Sequence, residues 1–383
     1  MNILLNFIPI KKGGGQQVAT AFIKTIKEIG TDMQFTFLVT AGTFAANLLA
    51  DYKFDNVILV KNSKRSRLLF ELFSLKKIIK AHKIDGIFTM FGPDLPKSGV
   101  PSIVGCAYSN IFFPEIDFWG AASFYKKKVF ELIDSFRLKR TLQADGIIFE
   151  NKAMQSQAEK LYEYPLNKTV FIKPSILPLN AFDSPSSEYL KQTEKIPGVF
   201  NALILSGWHK NKNINQVPFI LSELKKLGIT NISFVITVPP LHPESVTLMN
   251  TATALGVAGN IHLIGPVLPT DIRFLYEKID TVLLLSLLES FSNNIIESWT
   301  YSKPLVISDL EWAKSICNEA AVFVDRNNAV EIALQIKKLY EDKEWYKKMQ
   351  ENGRKELATY PSAEQKVLSQ LEFVKKIIHE AGH

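Results

Sequence analysis

The stretch TVLLLSLLESFSNNIIESWTYSKPLVI, Thr281 to Ile307, decides how this chain is read. Thr281 to Leu285 is an apolar run of buried-strand length, a polar turn follows, helical spacing begins near Asn293, and a second apolar run follows Lys303-Pro304. That order belongs to a parallel α/β sheet. Ser292 is placed as the N-cap of the helix, and a helix N-terminus presents unpaired backbone N–H groups and the positive end of its dipole. Anions settle there. Glu289 lies in the turn before the helix and Glu297 lies about one turn inside it, spaced E-x7-E. N–H donors flanked by two carboxylates suit a ligand with a negative middle and hydroxyl-bearing ends, the layout of a nucleotide sugar. Two unrelated surface carboxylates, with Glu297 merely responding to its helix dipole, are the alternative.

Glu289-Ser290-Phe291, Glu297 and the following Lys303-Pro304-Leu305-Val306 resemble the donor-site signature of the retaining family-4 glycosyltransferases, relatives of glycogen synthase with a GT-B fold. The resemblance implies that Glu297 hydrogen-bonds the donor ribose and that Glu289 sits near the transferred sugar. It also implies that the backbone of Phe291, Ser292, Asn293 and Asn294 meets the sugar and diphosphate. The family usually has glycine after the Phe; Ser292 stands there and narrows the expected pocket.

With 383 residues the chain is long enough for two domains, and its 46% hydrophobic and 22% charged content is that of a globular protein. Two cysteines, Cys106 and Cys317, make no disulfide framework and have no partners at metal-ligand spacing, which points to a reducing, cytoplasmic setting. MNILLNFIPI at the start reads as a first strand rather than a signal peptide, and no apolar run reaches the roughly 18 to 20 residues of a spanning helix. The net charge of +7 is uneven: 24 basic against 16 acidic residues through Pro185, and 21 against 22 after it. Nucleic acid, an anionic membrane and a lipid-diphosphate acceptor all suit such a first half.

Strands are expected at Asn2–Ile8, Gln34–Val39, Asn56–Val60, Gly86–Met90, Ser102–Gly105, Gly146–Phe149 and Val170–Ile172, with helices between most of them. Lys12-Gly13-Gly14-Gly15 follows the first strand, ahead of a helix over Val18–Ile29. Neither G-x-G-x-x-G nor a P-loop is present. Gly14 and Gly15 resemble the paired glycines that face the donor from the family's N-terminal domain; a plain turn is the alternative. The family's histidine after the fifth strand is missing, since Cys106-Ala107-Tyr108 stands there and residues 83 to 208 contain no histidine. Asp94 and Asp117 are substitutes for acceptor activation, or simply turn residues.

Residues 61–82 and 123–142 are basic amphipathic segments, and the latter suits a membrane interface or a core-facing helix with a charged outer side. The aromatic loop 109–120 suits an acceptor, a membrane or domain-edge packing. Pro174–Ser187, rich in Pro and Ser, reads as a linker.

A second alternation starts at Phe200, and its first strand leads into Ser206-Gly207-Trp208-His209-Lys210-Asn211-Lys212-Asn213. In the resembled family this turn carries a Gly, an Arg and a Lys-Asn pair, whose cations hold the diphosphate. Gly207, Lys212 and Asn213 match; Trp208 takes the Arg position, leaving Lys210 or His209 to supply the second charge. Gly265-Pro266-Val267 corresponds to a turn whose backbone contacts the nucleobase.

The expectation is an α/β protein of two Rossmann-like domains facing across a cleft: residues 1–175 for the acceptor, 188–362 for the donor, and a final helix over 363–383 returning to the first domain. It would be a retaining hexosyltransferase using a nucleotide-diphosphate sugar, without metal or other cofactor, and without nucleic acid as partner. The acceptor would be a glycan or lipid-linked hydroxyl in bacterial surface polysaccharide or glycolipid synthesis, at the inner face of the membrane. An epimerase or phosphorylase on the same fold, or a non-catalytic carbohydrate-binding module, is the alternative.

Overall fold

The computed structural model describes residues 1–11, 14–120, 122–176, 185 and 200–381. Lys12, Gly13 and nearly all of the expected linker past residue 176 lie outside them. Among the described residues, thirteen strands form two wholly parallel sheets. The chain divides into one unit of Met1–Ser175 with Pro361–His383, and another of Ile176–Tyr360.

In the first unit the strands are β1 (Asn2–Asn6), β2 (Gln34–Thr40), β3 (Val57–Val60), β4 (Gly86–Thr89), β5 (Ser102–Cys106), β6 (Gly146–Phe149) and β7 (Thr169–Phe171). They lie in the order β3-β2-β1-β4-β5-β6-β7. Every residue of β4, β5 and β6 is buried, because helices cover both faces of a parallel sheet. Side chains alternate between two cores: Ile3, Leu5, Phe37 and Phe88 on one face, Leu4, Leu38 and Ile87 on the other.

The final helix, Ala363–Ala381, adds Val367, Leu371, Val374 and Ile377 to the first of these cores. Glycine makes room for it. A Cβ at Gly86 would fall 2.2 Å from Ile378 Cδ1, and one at Gly146 would fall 3.0 Å from Ile377 Cγ1. Lys366 Nζ, itself buried, is 2.5 Å from Glu150 Oε1 and fixes the helix along its length.

The second unit contains β8 (Phe200–Ile204), β9 (Ile232–Ile236), β10 (Ile261–Leu263), β11 (Thr281–Leu284), β12 (Leu305–Ser308) and β13 (Val322–Val324). Their order is β10-β9-β8-β11-β12-β13. Each sheet therefore reverses its winding once, between β1 and β4 in the first unit and between β8 and β11 in the second. In open parallel sheets such a reversal leaves a crevice outside the carboxyl ends of the two central strands, and ligands bind there.

The start of one expected element shifts, and two segments left open by the sequence take definite form. The first helix runs Gly14–Glu28, so Gly14 and Gly15 form its opening turn rather than a loop ahead of it. The aromatic loop is packed inward, with Phe112 and Phe113 buried and Phe112 edge-on to Phe149 at 5.2 Å between ring centres. Domain packing is thus what those two rings do. The 61–82 segment is two helices, Lys64–Leu69 and Leu75–Ala81, joined by a π-helical turn at Phe70–Ser74.

Candidate functional site

The crevice between β8 and β11 is bordered by the segments after those strands, and the sequence-expected residues Gly207, Lys210, Lys212 and Glu289 sit on them. After β8 the backbone makes a 3-10 turn at Lys210–Lys212, capped by His209 Nδ1, which accepts from the Asn211 amide at 3.1 Å. Asn213 then takes a left-handed conformation, φ 56°, which asparagine tolerates better than most residues. Lys212 is thereby aimed at the neighbouring loop. Its Nζ lies 2.5 Å from Glu289 Oε1, with the two side chains 21% and 17% exposed. Lys212, expected at the diphosphate, and Glu289, expected near the transferred sugar, form one ion pair, which no spacing in the sequence revealed.

Asn211 stitches the same loops together. Its Nδ2 donates to Leu288 O at 2.9 Å and to Glu289 Oε1 at 3.3 Å, while its Oδ1 accepts from the Leu288 amide at 2.9 Å. Arg326, just past β13, reaches in from the other side: Nε donates to Leu285 O at 3.0 Å and Nη2 to Asn211 O at 3.1 Å. Sequence reasoning missed both roles, because both are made largely to backbone atoms remote in the chain.

Trp208 does not replace an arginine at the crevice. Its indole N–H donates to Ser245 Oγ at 2.8 Å and its ring stacks on His242 at 6.0 Å between centres. Lys210 and Gly207 are exposed on the same turn, and a side chain at Gly207 would meet nothing within 4 Å.

After β11 the helix Asn293–Thr300 begins where expected. Ser292 holds the N-cap position with extended backbone, but its side chain makes no capping hydrogen bond. The first turn is held instead by Asn294, whose Nδ2 donates to Leu205 O, 2.8 Å away at the end of β8. Phe291 leans on Tyr360 at 6.2 Å between ring centres. Val267 follows Gly265, whose φ of 77° turns the chain after β10.

Glu297 is half-buried within this helix, and its Oε2 accepts from the Tyr276 hydroxyl at 3.3 Å. Tyr276 is fully buried and stacks on Tyr301 at 4.9 Å. Burial raises the Glu297 carboxyl to about 7, and the Tyr276 hydrogen bond offsets only part of that rise. The folded chain then binds this proton more tightly than the unfolded chain, whose carboxyl titrates at the ordinary value. The stability it contributes is complete in acid and is lost as pH rises through 7. Glu297→Gln, which stays neutral, should therefore gain melting temperature over wild type at pH 8, gain less at pH 5, and match it only where the unfolded carboxyl is itself protonated, below about pH 4. The difference should correspond to about 3 kcal/mol or less. Parallel pH slopes for the two proteins in thermal melts would refute this assignment.

In the first unit, both expected substitutes for the missing histidine carry partners, and of the two Asp94 is buried while Asp117 is exposed. Asp94 is buried, accepting from Ser102 Oγ and the Leu95 amide, each at 2.7 Å, and burial raises it to about 6. Asp117 is 2.7 Å from Lys127 Nζ. Cys106 is buried and its thiol is pushed up to about 12; Cys317 is likewise buried. Among the described residues no group of three or more His, Cys, Asp or Glu is placed to hold a metal ion.

Residues 188–356 match the family model of the glycosyl transferases group 1. No curated protein matches the chain. Among solved structures, HepE of Anabaena in complex with UDP and glucose is similar over 98% of this chain and 100% of its own, at 16% identity and a TM-score of 0.70. Sucrose-phosphate synthase of Thermosynechococcus elongatus is similar over 99% and 100%, at 13% identity and a TM-score of 0.69. A putative UDP-N-acetylglucosamine 2-epimerase of Listeria monocytogenes is similar over 99% and 97%, at 11% identity and a TM-score of 0.63. These likenesses show the fold, two parallel-sheet α/β domains of the GT-B kind.

Proposed function

We propose that the chain is a retaining glycosyltransferase that moves a hexose-type sugar from a nucleotide diphosphate to a hydroxyl of a glycan or lipid-linked acceptor. The observation that carries this is the meeting of Lys212 and Glu289 at the winding reversal of the second sheet, on a chain whose residues 188–356 match a glycosyltransferase family model. HepE and the Listeria epimerase, whose names include UDP or a UDP-sugar, share the fold and support a nucleotide-sugar donor.

In this reading the diphosphate lies against the first turn of the 293–300 helix, with Phe291, Ser292, Asn293 and Asn294 offering backbone and Lys212 offering charge. Lysine has three N–H donors, so Nζ can keep Glu289 and still reach a phosphate oxygen. Gly207, Lys210 and Val267 complete the contacts that the second unit offers the donor. As the bond from the anomeric carbon to the diphosphate breaks, Lys212 and the helix terminus stabilise the charge that collects on the leaving group. The acceptor oxygen bonds to the anomeric carbon on the face being vacated, so the configuration is retained, and its proton passes to the departing diphosphate. Glu289 lies beside the sugar and orients it, and no divalent ion is needed. Glu297 accepts from the ribose hydroxyls as a carboxylate, so donor affinity should rise as pH increases through 7.

The test is thermal-shift screening of UDP-, GDP-, ADP- and TDP-sugars, followed by product analysis of the stabilising donor with and without a carbohydrate acceptor in EDTA. Acceptor-dependent transfer with retention is expected. Conversion of the donor in the absence of any acceptor would replace this reading with the epimerase, and binding without turnover would replace it with a carbohydrate-binding module.

A further inference from the structure

The helix Phe124–Leu142 is mounted with its apolar side outward. At 100° per residue, Tyr125, Val129, Leu132 and Phe136 share one stripe, and they are 83%, 53%, 71% and 55% exposed. Its opposite side faces the protein mainly through polar groups, with Phe130 stacked on Trp119 at 4.3 Å between ring centres. Asp134 there accepts from Asn110 Nδ2 and Trp119 Nε1, Lys127 pairs with Asp117, and Thr141 is the helix's one buried residue. An amphipathic helix that served only the core would be turned the other way.

The Lys64–Ala81 segment repeats the arrangement. Leu68, Leu69, Leu72 and Phe73 are 56 to 65% exposed, while Phe70, Leu75 and Ile79 are buried. Glu71 ties the two segments together, pairing with Arg67 at 2.8 Å and with Arg140 at 3.3 Å. The Arg140 guanidinium also lies 5.2 Å from the Phe136 ring centre, so the residue that reaches Glu71 borders the outer stripe of its own helix.

We propose that these two helical segments form a docking surface for an anionic lipid bilayer. Charge selects this occupant. The two segments together hold twelve basic and three acidic side chains, and Lys126, Lys128 and Lys139 flank the outer stripe. A helix whose exposed apolar ridge lies between cations rests in the headgroup layer with its rings and leucines in the acyl boundary. A second copy of the chain, meeting this surface about a twofold axis, would set the same cations against one another. Nucleic acid would use the cations and leave the ridge in water. Among the described residues no helix is long and apolar enough to cross a membrane; the attachment proposed for these two segments lies along the bilayer surface.

The full chain should cosediment with vesicles of phosphatidylcholine and phosphatidylglycerol, bind phosphatidylcholine vesicles at least roughly tenfold more weakly, and lose affinity with added salt. Leu132→Glu with Phe136→Glu should reduce binding roughly tenfold or more while leaving the melting curve unchanged, since both side chains lie in solvent. A second variant, Phe73→Glu, tests the adjoining segment separately. Equal binding to neutral and anionic vesicles, no binding to either, or full binding by both variants would overturn the proposal. So would a wild-type dimer in light scattering that Leu132→Glu dissociates, or tight single-stranded DNA binding that the apolar variants leave intact. None of these measurements involves the donor site, so the proposal stands or falls apart from the enzymatic reading.

Discussion

Lys212→Ala should lower turnover about 100- to 1000-fold, the loss seen when one preorganised group is removed from a charge-stabilising site. The protein should remain folded, because Glu289 keeps some contact with solvent and still accepts from Asn211 Nδ2 at 3.3 Å once the lysine is gone. Two effects combine in the loss. The departing diphosphate no longer meets a cation, and Glu289, stripped of its partner at 2.5 Å, presents an uncompensated negative charge to an anionic ligand. The second effect is separable. Adding Glu289→Gln to Lys212→Ala should restore part of the donor affinity while turnover stays low, so the two substitutions are non-additive. Lys212→Arg should retain most of the affinity. If Lys212→Ala turns over within threefold of wild type, the leaving group is stabilised elsewhere and this lysine only holds the Glu289 loop.

The strands and the start of the 293–300 helix were legible because they depend on neighbouring residues alone. Thr281–Leu284 and Leu305–Ser308 are unbroken apolar runs, as strands buried on both faces must be, and Ser292-Asn293 marks a helix entry in any context. Local logic also produced the misplaced start of the first helix: two glycines weigh against a helix, yet Gly14 and Gly15 are helical, the latter with Ile10 and Phe91 close by. The donor-loop carboxylate and lysine were legible singly, from motif resemblance. Their pairing was not, since 77 residues separate them. Tyr276 gave no signal either, standing in a short helix and acting only through its contact with Glu297. The outward mounting of the 124–142 helix was hidden for another reason. Periodicity identifies an apolar stripe but not what covers it, and only Asp134, Trp119 and Asn110 reveal which side meets the protein.

Arg326→Met should destabilise the second unit by about 2 to 4 kcal/mol and weaken donor binding tenfold or more. The two carbonyls it serves, Leu285 O and Asn211 O, belong to the loops on either side of the β8 to β11 crevice. Methionine fills similar volume but supplies no donor, so both oxygens lose a charged partner at once. The neighbouring loop also loses an anchor, since Asn213 Nδ2 donates to the Arg326 carbonyl at 2.5 Å and that carbonyl's position depends on where the side chain holds its loop. Arg326→Lys should not rescue the variant. An ammonium is a compact donor, whereas the planar guanidinium spans two acceptors in a fixed fork. Urea unfolding measures the first effect and donor titration the second. A stable Arg326→Met protein with normal donor affinity would mean that Asn211 alone sets the spacing of the two loops, through its paired hydrogen bonds with Leu288. The decisive comparison is then Asn211→Leu, which on the view taken here should be no more damaging than Arg326→Met, because Arg326 bonds the Asn211 carbonyl that every substitution at 211 retains.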